Sequence, residues 1–495
     1  MDIHTTLRDL QEKLQKLEEK FEQIDKKFEN RFEKIEEEIY KLKISPIKEY
    51  DNQFEKQETI QIQNQIEVTN QRTTPKTETD NPEEIEAKNF LQKFRDGEYQ
   101  ENNLESDIDQ IVKWLLLFPL SVDIQENGCF FFNKFAEKNQ NPQFRYKDNM
   151  IDSIIKAMDT FPSNSQIQFQ GGKFLLNLPF PNQESKDQIR KSKGIPSIIK
   201  TMNNFPNEED IQIKGCITLM KISEDNLNNA VQIRANKGIE TIIKTMKNST
   251  NKEIEFLGIQ ILKNLSEDNE SKTIIGSLQG IELLFNLSKA FPNDENFQLI
   301  IIQTLERISQ SHRNNLSLID QFHGVERIIT IMGNFPKIYE IHYSGCLILH
   351  GIYTFNIRGI DSSGTNQVIE QIILSMNTFP NQDELQIEGC RALRKLSTNN
   401  FENQNEIRRH SGIKIIINAI NTFPSNKEIQ KTGISTLNFL SNNNQENQKE
   451  IVLLNGFEVI MRILNNFFTD LQTRKWCLQM FQSFIDLYSK FQTKI

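Results

Sequence analysis

The sequence predicts an all-α solenoid of about eight to nine repeats of ~44 residues, preceded by a coiled-coil helix. Three observations carry this expectation. The string MNNFPNEEDIQIKGCITLMKIS at 202–223 returns as MNTFPNQDELQIEGCRALRKLS at 376–397, with twelve of 22 positions identical. A Phe-Pro pair recurs at Phe118, Phe161, Phe205, Phe291, Phe335, Phe379 and Phe423, and slots at Ser249 and Phe467 complete the series, at intervals of 42 to 44 residues. So even a period means a stack of like units, each buried against its neighbours. The third observation is an apolar seam at the N-terminus.

That seam runs through Ile3, Leu7, Leu10, Leu14, Leu17, Phe21, Ile24, Phe28, Phe32, Ile35, Ile39 and Leu42. Its steps alternate four and three, with one extra four after Phe28, which is a heptad pattern with a stutter. A lone helix would expose this stripe, so residues 1–43 are expected to self-associate. With Leu7, Leu14, Phe21 and Phe28 at a and Leu10, Leu17 and Ile24 at d, Lys13 and Lys20 fall at g and Glu18 and Asp25 at e. A parallel pair sets those lysines against the carboxylates. The bulk of Phe21 and Phe28 makes a trimer the alternative, and packing onto the same chain is the rival to self-association.

Residues 44–83 lose the seam and are rich in Gln, Thr and Glu. Such a composition buries too little apolar surface to offset chain entropy, so a flexible linker is expected.

The solenoid is expected over 84–495, with capping helices at about 84–117. One unit shows the logic. GIPSIIKTM predicts a helix with Ile195, Ile198, Ile199 and Met202 inward. Phe205-Pro206-Asn207 stops it, because proline disfavours helical geometry in its predecessor. IQIKGCITLMKIS predicts the next helix, with Ile211, Gly215, Cys216, Leu219 and Ile222 inward. A short third helix, NNAVQIRANKG, closes at Gly238. Glycine recurs there as Gly194, Gly280, Gly324, Gly412 and Gly456, the expectation being that each supplies a left-handed helix end. The stretch YTFNIRGIDSSGTNQV at 353–368 lacks the Gly-closed helix, and a bend or projecting loop is expected there.

Here the chain resembles the armadillo-repeat family, over residues about 104–495. The family pattern is a Gly-closed short helix, an "IPxLVxLL"-like second helix and a third helix like "VQxxAxxALxNL". This chain reads GIPSIIKTM, then IQIKGCITLMKIS or GIQILKNLS. The resemblance implies a right-handed α-solenoid, β-catenin-like or importin-α-like. HEAT repeats fit less well, having two helices and no Gly-closed short one.

Little points to catalysis. The sequence has no Gly-rich phosphate loop, no HExxH and no GxSxG. The six histidines are scattered. Cys129, Cys216, Cys346 and Cys390 share one slot directly after a glycine, and Cys477 lies one position off it, so all are expected to be buried small hydrophobes. No catalytic residue, cofactor or metal is expected. A net charge of −9 argues against binding nucleic acid. The longest apolar run, near Trp114–Leu120, is too short to span a membrane. The charged N-terminus, MDIHTTLRDL, shows no signal peptide, so the thiols are expected to be reduced and the chain cytoplasmic.

A binding surface follows from the resemblance. In armadillo arrays the third helix lines a concave groove through two positions four residues apart. Carried along this chain, sixteen such positions include six basic residues and no acidic one. The groove residues expected to bind protein are Phe130, Lys134, Lys173, Asn177, Lys221, Asn264, Arg307, Arg391 and Lys395. The Trp and Asn series of importin-α-like grooves is absent apart from Asn177 and Asn264, which weighs against a nuclear-transport adaptor. The expected function is a non-enzymatic scaffold binding an extended acidic protein segment. The alternative is a structural component of a cytoskeletal or ciliary assembly, packed by its outer faces.

Overall fold

The computed structural model describes residues 81–98, 104–138, 148–180, 182–358, 364–467 and 469–492. The chain divides into two units, 1–79 and 80–495. The seam of residues 1–43 and the linker up to residue 80 lie outside the described residues.

Among the described residues the second unit contains 25 helices and no strand. Nine hairpins of a second and a third helix repeat along it, from Leu104–Leu117 with Val122–Lys138 to Gly456–Asn466 with Leu471–Gln492. Short helices precede six of them, at Gln183–Lys191, Leu227–Ala235, Asn269–Ser277, Arg313–Gln321, Phe401–Arg409 and Gln445–Leu453. Pro82–Arg95 stands before the first hairpin and packs mainly on its third helix. Each third helix packs on the next, so these helices form one continuous row.

The hydrophobic faces are those the period demands. In the third unit Ile195, Ile198, Ile199, Met202, Ile211, Cys216, Leu219 and Ile222 are all buried. Burying each aliphatic side chain contributes about 1.5–3 kcal/mol. Small residues let the helices close up. A Cβ on Gly215 would lie 2.6 Å from Met202 Sδ, and one on Gly389 2.5 Å from Met376 Sδ. The same glycine–methionine contact joins Gly171 to Met158 and Gly345 to Met332.

The Phe-Pro turn has a common geometry. Phe205, Phe291, Phe335, Phe379 and Phe423 all sit at φ near −120° and ψ near 60°, outside the helical region. The following proline disfavours the helical region for its predecessor. It leaves the end of the second helix with unpaired carbonyls, and a buried glutamine of the third helix answers them. Gln212 Nε2 donates to the carbonyls of Met202 and Phe205, each at 2.9 Å. Gln125, Gln168, Gln298, Gln386 and Gln430 repeat both bonds at 2.6–3.2 Å. A second ladder runs through the short helices. Asn229 Nδ2 donates to the carbonyls of Lys186 and Ile222 at 2.9 Å, tying its unit to the one before. Asn315 and Asn447 do the same.

The role expected of the recurrent glycines is corrected. The left-handed residue is the one before each glycine: Lys193, Lys237, Gln279, His323, Ser411 and Asn455, at φ 56–62°. The glycine opens the second helix and is needed for space. A Cβ on Gly238 would stand 2.8 Å from the Ile233 carbonyl oxygen, and one on Gly412 2.8 Å from that of Ile407. A backbone atom cannot give way as a side chain can, so only glycine fits.

The irregular unit is where the sequence departs from its own pattern. Helix Tyr339–Thr354 is followed by the 14-residue Thr365–Thr378, where six other second helices, Gly324–Asn334 among them, have 11 residues. No short helix stands between them among the described residues. Arg358 fixes this junction, its guanidinium 2.7 Å from Glu326 and 3.9 Å from Asp320.

Candidate interaction face

The third helices bury one side and leave the other open. On Glu209–Ser223 the less buried stripe is Asp210, Ile213, Lys214, Ile217, Met220 and Lys221, which recurs every three to four residues. Ile217 and Lys221 therefore share the less buried stripe of this helix.

The nine expected groove residues divide into three groups. Lys221 and Arg307 are exposed and Lys395 is half-buried, and among the described residues none of the three has an ion-pair partner. They occupy one slot in alternate units, at intervals of 86 and 88 residues. Lys134, Lys173 and Arg391 are instead engaged with carboxylates. Lys134 pairs with Glu137 at 2.7 Å, Lys173 with Asp210 of the next unit at 2.9 Å, and Arg391 with Glu388 and, at 2.7 Å, Glu428 of the next unit. The remaining three face packing partners. Phe130 is half-buried, 6.1 Å edge-to-face from Phe94 and under the Arg95 guanidinium at 5.8 Å. Asn264 donates to the Met220 carbonyl and to Ser223 Oγ at 3.3 Å.

Asn177 is a correction. It is 6% exposed, and its amide donates to Asn133 Oδ1 at 3.1 Å. It joins the first two units instead of lining an open face. Sequence spacing placed it at the groove register, but it caps the helix Ser165–Leu176 and its amide is spent on Asn133 of the preceding third helix.

Residues that spacing alone missed are the acids beside the basic slots. Glu388 is buried, and its carboxylate meets His350 Nδ1 at 2.9 Å as well as Arg391. Burial pushes its pKa up, but His350 and Arg391 outweigh this and hold it below the ordinary carboxylate value. Near Arg307, burial raises Glu306 above the carboxylate range despite Arg307, Lys272 and Lys263. Burial, then Arg307, depresses Lys263. The face is thus a mixed electrostatic surface, on which Lys221, Arg307 and Lys395 form no ion pair among the described residues.

Reactive chemistry finds no assembly here. All five cysteines are buried. Burial pushes the thiols of Cys216, Cys346, Cys390 and Cys477 up to about 12, which keeps them protonated and unreactive. Among the described residues no group of His, Cys, Asp or Glu could hold a metal ion, and no helix is long and apolar enough to cross a membrane.

Comparison with known proteins agrees with this architecture. Residues 356–453 match the family profile described as the LRRK2 ARM repeat. No curated protein sequence matches the chain. Among solved structures, one from work on a phosphorylation switch controlling the interaction between cadherin and beta-catenin superposes with a TM-score of 0.62, at 16% identity. It covers 76% of this chain and 68% of its own. The crystal structure of an engineered protein superposes with a TM-score of 0.55 at 18% identity, covering 82% of this chain and 96% of that one. The chain thus has the fold of an armadillo-like α-solenoid, with the family profile matched over residues 356–453.

Proposed function

We propose that this chain is a non-enzymatic scaffold that holds an extended, acidic segment of a partner protein along the open face of its third helices. The observation that carries the reading is the series Lys221, Arg307 and Lys395, three cations at one repeat slot that form no ion pair among the described residues. An array built for stability alone has no need to leave these charges open, whereas Lys173 and Arg391 are engaged between units. The solved structure from work on the interaction between cadherin and beta-catenin supports a protein partner in general terms.

The heptad seam of residues 1–43 adds self-association to this reading. Two tethered faces raise apparent affinity through effective concentration, without any new contact.

A pull-down of native partners tests the proposal. Wild type is compared with a variant carrying Lys221→Glu, Arg307→Glu and Lys395→Glu. Loss of specific partners at an unchanged melting temperature supports the face. An unchanged partner list moves binding to the outer surfaces.

A further inference from the structure

A second row runs along the third-helix face, eight residues before the cation slot. Phe169, Ile213, Phe256, Leu299, Tyr343 and Ile387 occupy one position in six successive third helices. All six are half-buried. Charge replaces the row at both ends, as Glu126 in the first unit and as Lys431 and Lys475 in the last two.

Packing between units does not impose this choice. Lys431 lies inside the array, with a third helix packed on either side, and is half-buried at the same position, so the slot admits a charged side chain. Three of the rings are braced by aromatic neighbours. Phe169 stands 5.4 Å from Phe205, Phe256 5.4 Å from Phe297 and Tyr343 5.8 Å from Tyr339. These contacts fix the rings and still leave part of each open to solvent.

The two rows share a face. On Glu209–Ser223 the residues Ile213, Ile217 and Lys221 follow one another at steps of four, along one stripe. At ~1.5 Å per residue the apolar row lies ~12 Å from the cation row, and the middle slot lies about 6 Å from each. A chain laid over the middle slot therefore reaches both rows with its side chains. A continuous apolar row on a surface marks a contact site, and the cations alongside it set the chemistry of what covers it.

We infer that this row takes the apolar side chains of the same segment whose carboxylates meet Lys221, Arg307 and Lys395. The partner segment is two-sided, acidic towards the ends of the third helices and apolar towards their starts. This rests on the reading of the face as the site of an acidic segment, and adds its second edge. Units packed about 8–10 Å apart offer an extended chain one apolar contact about every third residue.

The test is fluorescence anisotropy on the full chain with two labelled peptides of about twelve residues, ~40 Å when extended. One repeats Asp-Leu-Ser and the other Asp-Ser-Ser. Wild type should bind the leucine peptide at least about tenfold more tightly. Leu299→Gln, Tyr343→Gln and Ile387→Gln together should bring the two affinities within about twofold, leaving that for Asp-Ser-Ser where it was. The comparison on wild type changes no residue of the protein, so it holds even where this variant is destabilised. Equal affinity of wild type for both peptides would overturn the apolar row. Loss of both in the Lys221→Glu, Arg307→Glu, Lys395→Glu variant would then show that the acidic reading survives without it. An undiminished leucine preference in the glutamine variant, at an unchanged melting temperature, would seat the leucines elsewhere and overturn the row as well. Binding of neither peptide by wild type would overturn the acidic reading and the row together.

Discussion

Gln212 donates a hydrogen bond to the carbonyl oxygen of Phe205 at 2.9 Å, from inside the third helix to the turn that precedes it. The bond closes the break that the following proline makes, and it joins two helices whose packing is otherwise apolar. Gln212→Leu would leave the Met202 carbonyl buried without its partner, and the Phe205 carbonyl with only the Glu208 N–H, at a cost of about 1–3 kcal/mol. Gln260, at a solvent-facing slot, is the control, and its replacement by Ala should change stability by no more than ~0.5 kcal/mol. Urea melts of the two variants check the difference.

His342 stands in the glutamine slot of the sixth unit, seven residues after Phe335. It is fully buried, and Nδ1 meets Ser375 Oγ at 2.7 Å. Burial lowers its pKa below the ordinary histidine value, only partly offset by the Phe335 carbonyl. The unfolded chain therefore binds a proton more readily than the folded one. Stability from this group is fully present above about pH 6.5 and is lost as pH falls towards the depressed folded value. His342→Gln should restore the ladder bonds and flatten this part of the acid dependence. Melting temperatures of both proteins between neutral and mildly acidic pH measure it. Parallel curves would show that His342 does not titrate with unfolding.

The glycine–cysteine slot admits nothing larger. Cys390 follows Gly389, which lies against Met376, and is buried with its thiol pushed up to about 12. Cys216 and Cys390 should resist alkylation in the native protein and react on unfolding. Cys390→Arg should cost several kcal/mol, about 3 or more, through overpacking and a buried charge. Mass spectrometry of timed labelling, with a thermal melt of the variant, checks both.

Residues 1–43 are expected to set the oligomeric state. Light scattering should give a dimer or trimer for the full chain and a smaller species for a chain starting at Asn81. Equal masses would remove the seam from the account of avidity.

Much of this fold was legible because the repeat is written in the sequence. The Phe-Pro spacing fixed the nine hairpins, and the Ile, Leu and Met phases fixed their buried faces. The glutamine ladder was equally regular, seven residues after Phe in six turns, but a polar side chain at a buried helical position is easily read as surface. The glycines were placed correctly and explained wrongly, because sequence shows where a Cβ is missing and not which neighbouring carbonyl would meet it. The basic slots were found, yet half of them are answered by acids. Asp210 reaches Lys173 from the next unit, and no spacing within a single unit reveals that pair.

The central claim is that Lys221, Arg307 and Lys395 bind an acidic strand. Packed helices sit about 8–10 Å apart. An extended chain rises ~3.3 Å per residue, so its carboxylates should recur about every third residue. Fluorescence anisotropy with a labelled peptide of that pattern, titrated into wild type and into the Lys221→Glu, Arg307→Glu, Lys395→Glu variant, measures this directly. Saturable binding by wild type that weakens with salt, and no binding by a variant of unchanged melting temperature, is the predicted result. Equal binding by both proteins would contradict it.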